Sequence, residues 1–241
     1  MATVEEHYAQ HLAPIYEWML GGAEPAFELG RVEIEAIGAS PGLAVDLGAG
    51  FGMHAVPLAR AGHRVLAVDR SAHLLARLRA HAAGLAVEAV EGDLLDFERL
   101  LPTADRPSLI LCMGDTLTHL SRFEDVGRLA EAVARALAPG GRFVATFRDH
   151  TRPPEGDRRF ILVRADGQRS LTCFLEALPL QLRVHDVIHE RRADGWAMSV
   201  SSYDKLRLAP QRAEAAWARA GLRTRLAPSS RGMVRLIADK P

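Results

Sequence analysis

Three alternate glycines follow the first apolar run of the chain, in the segment VDLGAGFG at positions 45–52. Glycine lets the backbone bend sharply and approach a ligand with no Cβ in the way. In an open α/β sheet such a turn lies at the carboxyl ends of the strands, where ligands bind. A dinucleotide-binding loop has the spacing G-x-G-x-x-G, whereas the third glycine here comes one residue early and His54 occupies the usual glycine position. The loop predicts a small-molecule site, and a turn without a ligand is the alternative.

Carboxylates accompany the loop near the ends of three successive apolar runs. Asp46 precedes the glycines, Asp69 closes the second run and Asp93 follows the third. A carboxylate at the end of the second strand can accept hydrogen bonds from both hydroxyls of a ribose. Asp69 lies one residue too early to cap the next helix, for which Ser71 is the better residue, whereas Asp93 alone could be an exposed turn carboxylate. Three acids in this order are difficult to explain by turn chemistry.

The loop and its acids closely resemble the corresponding motifs of class I S-adenosylmethionine-dependent methyltransferases, over about residues 8–241. The resemblance implies a loop around the amino-acid end of S-adenosylmethionine and a ribose held by Asp69. It also implies an adenine contacted by Arg70, Asp93 and Leu94, with no metal ion in the site. The full set of cofactor residues that it implies is Tyr16, Asp46, Gly48, Ala49, Gly50, Gly52, Asp69, Arg70, Asp93, Leu94, Met113 and Gly114.

The segment that follows the fourth apolar run is the candidate acceptor side of the site. It resembles the Gly-Asn-Ser-x-x-His-Leu stretch of glycine N-methyltransferase-like enzymes, with Asp115 in place of Asn. If this segment turns helically, the i, i+4 spacing puts Asp115 and His119 on one face. A carboxylate and an imidazole there could orient an amine or hydroxyl and receive its proton. The alternative is that Asp115 caps a short helix and His119 packs at its end.

Two further positions are assigned to the acceptor. Arg148 immediately follows the fifth strand, near the expected mouth of the pocket. Tyr8 and Tyr16 lie on the predicted first helix, where aromatic residues often pack into the core. The family resemblance implies a different role, because N-terminal helices of related enzymes cover the cofactor. We therefore assign Tyr8 to the acceptor, together with Asp115, His119 and Arg148.

Short apolar runs alternate with stretches rich in Ala, Leu and Arg between residues 43 and 147. Such alternation predicts a parallel sheet with helices on both faces. The predicted strands span 43–47, 64–68, 86–90, 108–113 and 141–147, and the predicted helices span 53–61, 72–83 and 123–137. A helix over 210–220 and strands over 222–226 and 233–238 complete an α/β fold with a doubly wound, mostly parallel, seven-stranded Rossmann-like sheet.

Two segments lie outside this alternation. Residues 4–20 and 25–37 predict two N-terminal helices, separated by Gly21-Gly22. Strand-like runs over 159–164, 170–177, 181–191 and 196–206 predict an antiparallel insertion after the fifth strand, since Asp166-Gly167 and Asp194-Gly195 are hairpin signals. We expect one domain, with an N-terminal lid (1–40), a cofactor-binding core (41–150 and 207–241) and the insertion (151–206).

Composition narrows the possible partners. Thirty basic and thirty acidic residues give a formal net charge of zero, which removes the generic attraction to nucleic acid or anionic membranes. The chain has two cysteines, and their surroundings suggest neither a disulfide framework nor a zinc site. Apolar stretches are too short to cross a bilayer and the N-terminus lacks signal-peptide features, so we expect a cytoplasmic protein. The oligomeric state stays open.

The sequence thus predicts a methyltransferase that moves a methyl group from the sulfonium directly to N or O of a small molecule. The cofactor carries the activation, and the protein aligns donor and acceptor. Two alternatives remain: an NAD-dependent Rossmann-fold oxidoreductase, which the glycine spacing and Asp46 disfavour, and a non-catalytic S-adenosylmethionine-binding protein. A macromolecular methyltransferase is disfavoured by the neutral charge and the lack of an appended RNA-binding module.

Overall fold

The computed structural model describes residues 3–102 and 105–241. Its helices are α1 (Val4–His7), α2 (Tyr16–Met19), α3 (Ala23–Glu35), α4 (Ala55–Arg60), α5 (Ala72–His81), α6 (Phe123–Ala136) and α7 (Pro210–Arg219). Its strands are β1 (Leu43–Leu47), β2 (Arg64–Asp69), β3 (Val87–Glu91), β4 (Leu109–Cys112), β5 (Arg142–Phe147), β6 (Phe160–Ala165), β7 (Arg169–Ala177), β8 (Gln181–Arg192), β9 (Gly195–Leu206), β10 (Arg223–Pro228) and β11 (Val234–Asp239).

The central sheet confirms the predicted α/β fold. Its seven strands lie in the order β10-β11-β5-β4-β1-β2-β3, with β11 antiparallel to both of its neighbours and the other pairs parallel. Every residue of β1 and β4 is buried. Burial on both faces is characteristic of parallel strands that are covered by helices on each side.

Two apolar layers enclose the sheet. One contains α6 and α7, with Phe143 and Trp217 stacked at 4.9 Å between ring centroids. The other contains α3, α4 and α5 around residues such as Phe27 and Phe51. Strands of the parallel sheet therefore contribute side chains to both layers, which fixes their carboxyl ends as one rigid edge.

The insertion forms a separate antiparallel sheet, in the order β6-β7-β8-β9. Asp194-Gly195 lies at the hairpin between β8 and β9, as the sequence predicts. Burial alternates along the first eight residues of β8, so one face of this sheet packs inward. That face meets the N-terminal segment through Leu171 and Ile188.

The prediction of one continuous helix over 4–20 is wrong. Helix α1 passes into a π-helical turn (Tyr8–Leu12) and a 3₁₀ turn (Ala13–Ile15) before α2 begins. Pro14 explains the break, because proline has no N–H to donate to a carbonyl in the preceding turn. Within the residues that the structure describes, no helix is both long enough and apolar enough to span a membrane.

Candidate active site

A cavity of about 420 Å³ lies along the carboxyl ends of β1–β4. Strand order places the end of β3 at one side, followed by the ends of β2, β1 and β4. Three inter-strand spacings correspond to about 15 Å, enough for a nucleoside that carries an amino-acid arm. The cavity is lined by these predicted site residues: Tyr8, Tyr16, Gly48, Gly50, Asp69, Arg70, Asp93, Leu94, Gly114 and His119.

The glycine loop brings the backbone close to its neighbours. Gly48 has a φ of +75°, and a Cβ there would lie 2.4 Å from Thr116 Cγ2. Gly50 has a φ of +55°, a conformation that side chains disfavour. As a result, backbone atoms without side chains form the wall at the middle of the cavity.

Asp69 is held by backbone amides at the end of β2. Its Oδ2 accepts from Gly50 N at 2.8 Å and its Oδ1 accepts from Ser71 N at 2.8 Å. Burial raises the pKa of Asp69, and the hydrogen bonds from the backbone, which lower it, offset only part of this effect. Ser71 caps α5 by accepting from Leu74 N at 3.3 Å, as the sequence predicts, so Asp69 remains on the cavity wall rather than serving as the cap.

Asp93 has two partners within the protein. Its Oδ1 accepts from Leu95 N at 2.9 Å, which caps the 3₁₀ segment Leu94–Leu100, and its Oδ2 accepts from Arg70 at 2.5 Å. Arg70 and Leu94 lie beside it on the cavity wall. This end of the cavity presents an ion pair and an apolar side chain, a combination that suits a flat, polar-edged ring.

The residues along this edge fit S-adenosylmethionine. Asp69 stands where ribose hydroxyls could donate to its remaining lone pairs, and the loop amides and glycines leave room for the amino-acid arm. Tyr8 and Tyr16 cover the cavity from the N-terminal segment, with ring centroids 5.9 Å apart. Both tyrosines are partly buried, and burial raises the pKa values of their phenols, so they stay neutral hydroxyl groups.

Asp115 faces the insertion rather than the cavity. It has the left-handed φ of +80° and makes no side-chain capping bond to the 3₁₀ segment Thr116–His119. Its Oδ2 accepts from Lys205 Nζ at 2.7 Å and its Oδ1 accepts from Arg148 N at 2.9 Å. Burial would raise the pKa of Asp115, but the Lys205 charge and these bonds hold it at about 2.

His119 lies on the cavity wall. Its ring packs against Tyr8 at 5.4 Å and Tyr203 at 5.6 Å between centroids. Its Nε2 is buried and has no hydrogen-bond partner in the described part of the chain. Burial and, next in size, the Lys205 charge lower the pKa of His119 to about 3, while Asp115 opposes both. The imidazole is therefore neutral near neutral pH.

The remaining predicted residues lie behind the wall. Asp46 is buried, its Oδ2 has no partner among the described residues, and burial raises its pKa to about 6. Gly52 serves helix packing, since a Cβ there would lie 2.4 Å from Leu78 Cδ1. Ala49 and Met113 are buried in the core layer of α3–α5. Arg148 donates its side chain to Arg231 O at 2.9 Å, outside the cavity.

Several residues near the site are not among those predicted. Lys205 and Tyr203 come from β9 of the insertion, and Glu5 and Asp125 line the cavity. Lys205 carried a usable signal, because it is one of two lysines in an arginine-rich chain and lies within a strand-like run. Glu5 and Asp125 carried no such signal, since acids are frequent in the first turn of helices.

Known proteins resemble the chain over this region. Residues 44–141 match a family model described as a methyltransferase domain. A cypemycin N-terminal methyltransferase from Streptomyces sp is 36% identical over 134 residues, which cover 53% of this chain and 51% of that protein. The match thus spans about half the length of this curated relative.

Solved structures share the fold along nearly the whole chain. The CcbJ methyltransferase from Streptomyces caelestis superposes with a TM-score of 0.79 at 22% identity and covers 98% of this chain and 99% of its own. The sugar N-methyltransferase KedS8 from Streptoalloteichus sp has a TM-score of 0.71 at 17% identity, with coverage of 89% and 86%. Together with the family match, these findings confirm the expected resemblance to methyltransferases. Residues 44–141 therefore resemble a methyltransferase domain, and nearly the whole chain has the fold of these solved methyltransferases.

Proposed function

We propose that the protein transfers a methyl group from S-adenosylmethionine to the nitrogen of a small amine. The observation that carries this proposal is a cavity rich in carboxylates whose acceptor end carries a neutral imidazole, His119. The relative named for methylation of an N-terminus and the solved structure named as a sugar N-methyltransferase support an amine acceptor.

The charges around the cavity favour a cationic ligand. Five carboxylates and one guanidinium, that of Arg70, line it. The five carboxylates are Glu5, Asp69, Glu91, Asp93 and Asp125. Two of them are paired, Asp93 with Arg70 and Asp125 with Arg128 at 3.1 Å, and the other three leave the lining negative. A cleft lined by one sign of charge concentrates ligands of the opposite sign. Most amines carry a positive charge in neutral water, so this lining supports an amine more than a carboxylic acid or a phosphate ester.

His119 has the chemistry to orient such an acceptor. A neutral imidazole has a lone pair that can accept a hydrogen bond from an amine N–H. A protonated imidazole would instead repel both the amine and the cofactor's positive charge. Entry into the cavity removes water from the amine, which lowers its pKa and favours the uncharged form that has a lone pair.

The other residues hold the reactants. When bound, S-adenosylmethionine supplies the methyl group on its positively charged sulfur. Asp69 and the Gly48–Gly50 backbone fix one reactant, while Tyr8 and Tyr16 exclude water from above. Fixing both reactants in line is the main contribution that such a protein makes to methyl transfer.

Calorimetric titration tests the cofactor half of the proposal. We expect micromolar binding of S-adenosylmethionine and S-adenosylhomocysteine, with NAD much weaker. Asp69→Ala should weaken binding by about 1.5–3 kcal/mol, the loss typical of a hydrogen bond to a charged group. Glu88→Ala, an exposed acid on the neighbouring strand β3, is the matched control.

Methyl transfer to a panel of amines and alcohols, followed by mass spectrometry, tests the acceptor half. We expect products only from primary or secondary amines. Transfer to alcohols alone would contradict the choice of nitrogen. Binding of the cofactor without transfer to any member of a broad panel would favour the non-catalytic alternative.

A further inference from the structure

Lys205 occupies an unusual place for a lysine. It lies near the end of β9, where its side chain is only 12% exposed, and it reaches from the insertion to the loop after β4. Its Nζ is 2.7 Å from Asp115 Oδ2, and that carboxylate is only 7% exposed. Removing two charges from water is unfavourable, and well-packed apolar side chains would often stabilise such a contact better.

The Lys205–Asp115 pair contributes to the charges that surround the His119 imidazole. Asp115 immediately precedes the 3₁₀ segment that ends at His119. The other titratable groups around the imidazole are Tyr8, Tyr203 and, at longer range, His7. The Asp115 carboxylate raises the pKa of His119, whereas the Lys205 charge lowers it. A carboxylate near an imidazole favours the protonated form unless another charge cancels it.

We propose that Lys205 is a positioning residue for methyl transfer: by pairing with Asp115 it cancels the carboxylate charge near His119 and keeps the imidazole unprotonated and able to accept a hydrogen bond. Lys205 acts through Asp115, since it does not line the cavity. The inference rests on the proposed function of His119. It also assigns the insertion a chemical role, because β9 delivers the cancelling charge to a segment of the core.

Nuclear magnetic resonance of histidine labelled with ¹³C at Cε1 measures this directly. The signal of His119 is assigned by its loss in His119→Gln, and its titration is followed without substrate. In the wild-type protein we expect no protonation of His119 above pH 5. In Lys205→Gln, which keeps a hydrogen-bond donor for Asp115, the midpoint should rise by about one pH unit or more. Lys205→Arg keeps the charge and is the matched control.

Two outcomes with the proteins named above overturn the proposal, and a third comes from a double variant. One is a folded Lys205→Gln variant in which His119 titrates as in the wild-type protein. The other is a wild-type His119 that is already protonated at pH 6.5, a result that needs no variant. The double variant Asp115→Asn/Lys205→Gln removes both charges, so it should return His119 to wild-type behaviour, and a raised midpoint there would also contradict cancellation.

A kinetic measurement links the titration to function. In Lys205→Gln the acid limb of the kcat profile should move to higher pH, while the Kd for S-adenosylhomocysteine stays within twofold. The titration is read without turnover, so a protein that methylates none of the acceptors tested would refute the proposed function and leave the charge pairing intact. A normal acid limb together with a shifted His119 midpoint would refute the role of His119 instead.

Discussion

The carboxylates at the carboxyl edge of the sheet differ in role because they differ in their hydrogen-bond partners. Asp69 accepts from two backbone amides, which fix its direction at the cavity. Asp115, one strand beyond the glycine loop, is turned toward Lys205 and Arg148 instead. His119 comes from the segment after β4 and lies on the cavity wall, and its ring nitrogen Nε2 has no partner among the residues that the structure describes.

His119→Leu tests this assignment at the level of one residue. Leucine keeps much of the volume, but it has no lone pair that can accept a hydrogen bond from the amine. We expect methyl transfer to fall at least tenfold, which corresponds to about 1.4 kcal/mol or more, with unchanged cofactor affinity and melting temperature. His189→Leu, on β8 of the insertion, is the control. A variant that turns over normally would show that His119 only packs against Tyr8 and Tyr203.

At the scale of elements, the N-terminal segment is fastened to the insertion by polar contacts. His7 Nε2 lies 3.0 Å from Asp186 Oδ2 and its Nδ1 lies 2.8 Å from Ser201 Oγ, while His11 Nε2 lies 3.0 Å from the Asp186 carbonyl oxygen. The same segment contributes Tyr8 to the cavity wall. Loss of one buried partner leaves the other polar groups unsatisfied, at a cost of about 1–3 kcal/mol.

His7→Ala should therefore loosen the segment. We expect amide hydrogen exchange over residues 4–20 to become roughly 10- to 100-fold faster, because opening would need about 1–3 kcal/mol less. Exchange in β1, β4 and β5 should not change, and His189→Ala should leave both regions as in the wild-type protein. Acceleration throughout the central sheet would mean that His7 supports the whole fold rather than the segment.

At the scale of the whole molecule, buried histidines link stability to pH. Burial lowers the pKa of His119 to about 3 and that of His150 to about 4. In the unfolded chain these histidines bind a proton near pH 6.5. Their contribution to the free energy of unfolding is therefore fully present above that pH, and it is lost as the pH falls toward their pKa values in the folded protein. Asp46 opposes them, since burial raises its pKa to about 6 and its protonation stabilises the folded state at lower pH.

The histidines should outweigh this opposition between pH 7.5 and pH 5. At pH 5 each histidine lowers the free energy of unfolding by roughly 2 kcal/mol, whereas protonation of Asp46 raises it by roughly 1.4 kcal/mol. We therefore expect the melting temperature, measured by calorimetry, to fall over this range. His150→Gln should reduce the slope. A melting temperature that rises toward pH 5 would show that the carboxylates dominate instead.

The sequence by itself determined the features that local patterns encode. The alternation of apolar runs and helical stretches gave the sheet, the glycine spacing and Asp69 gave the cofactor edge, and Asp-Gly gave a hairpin of the insertion. Only the tertiary structure decided which distant side chains meet. Lys205 and Asp115 are 90 positions apart and His7 and Asp186 are 179 apart. Such pairs depend on how the insertion packs against the core, and no periodicity within either segment specifies that packing.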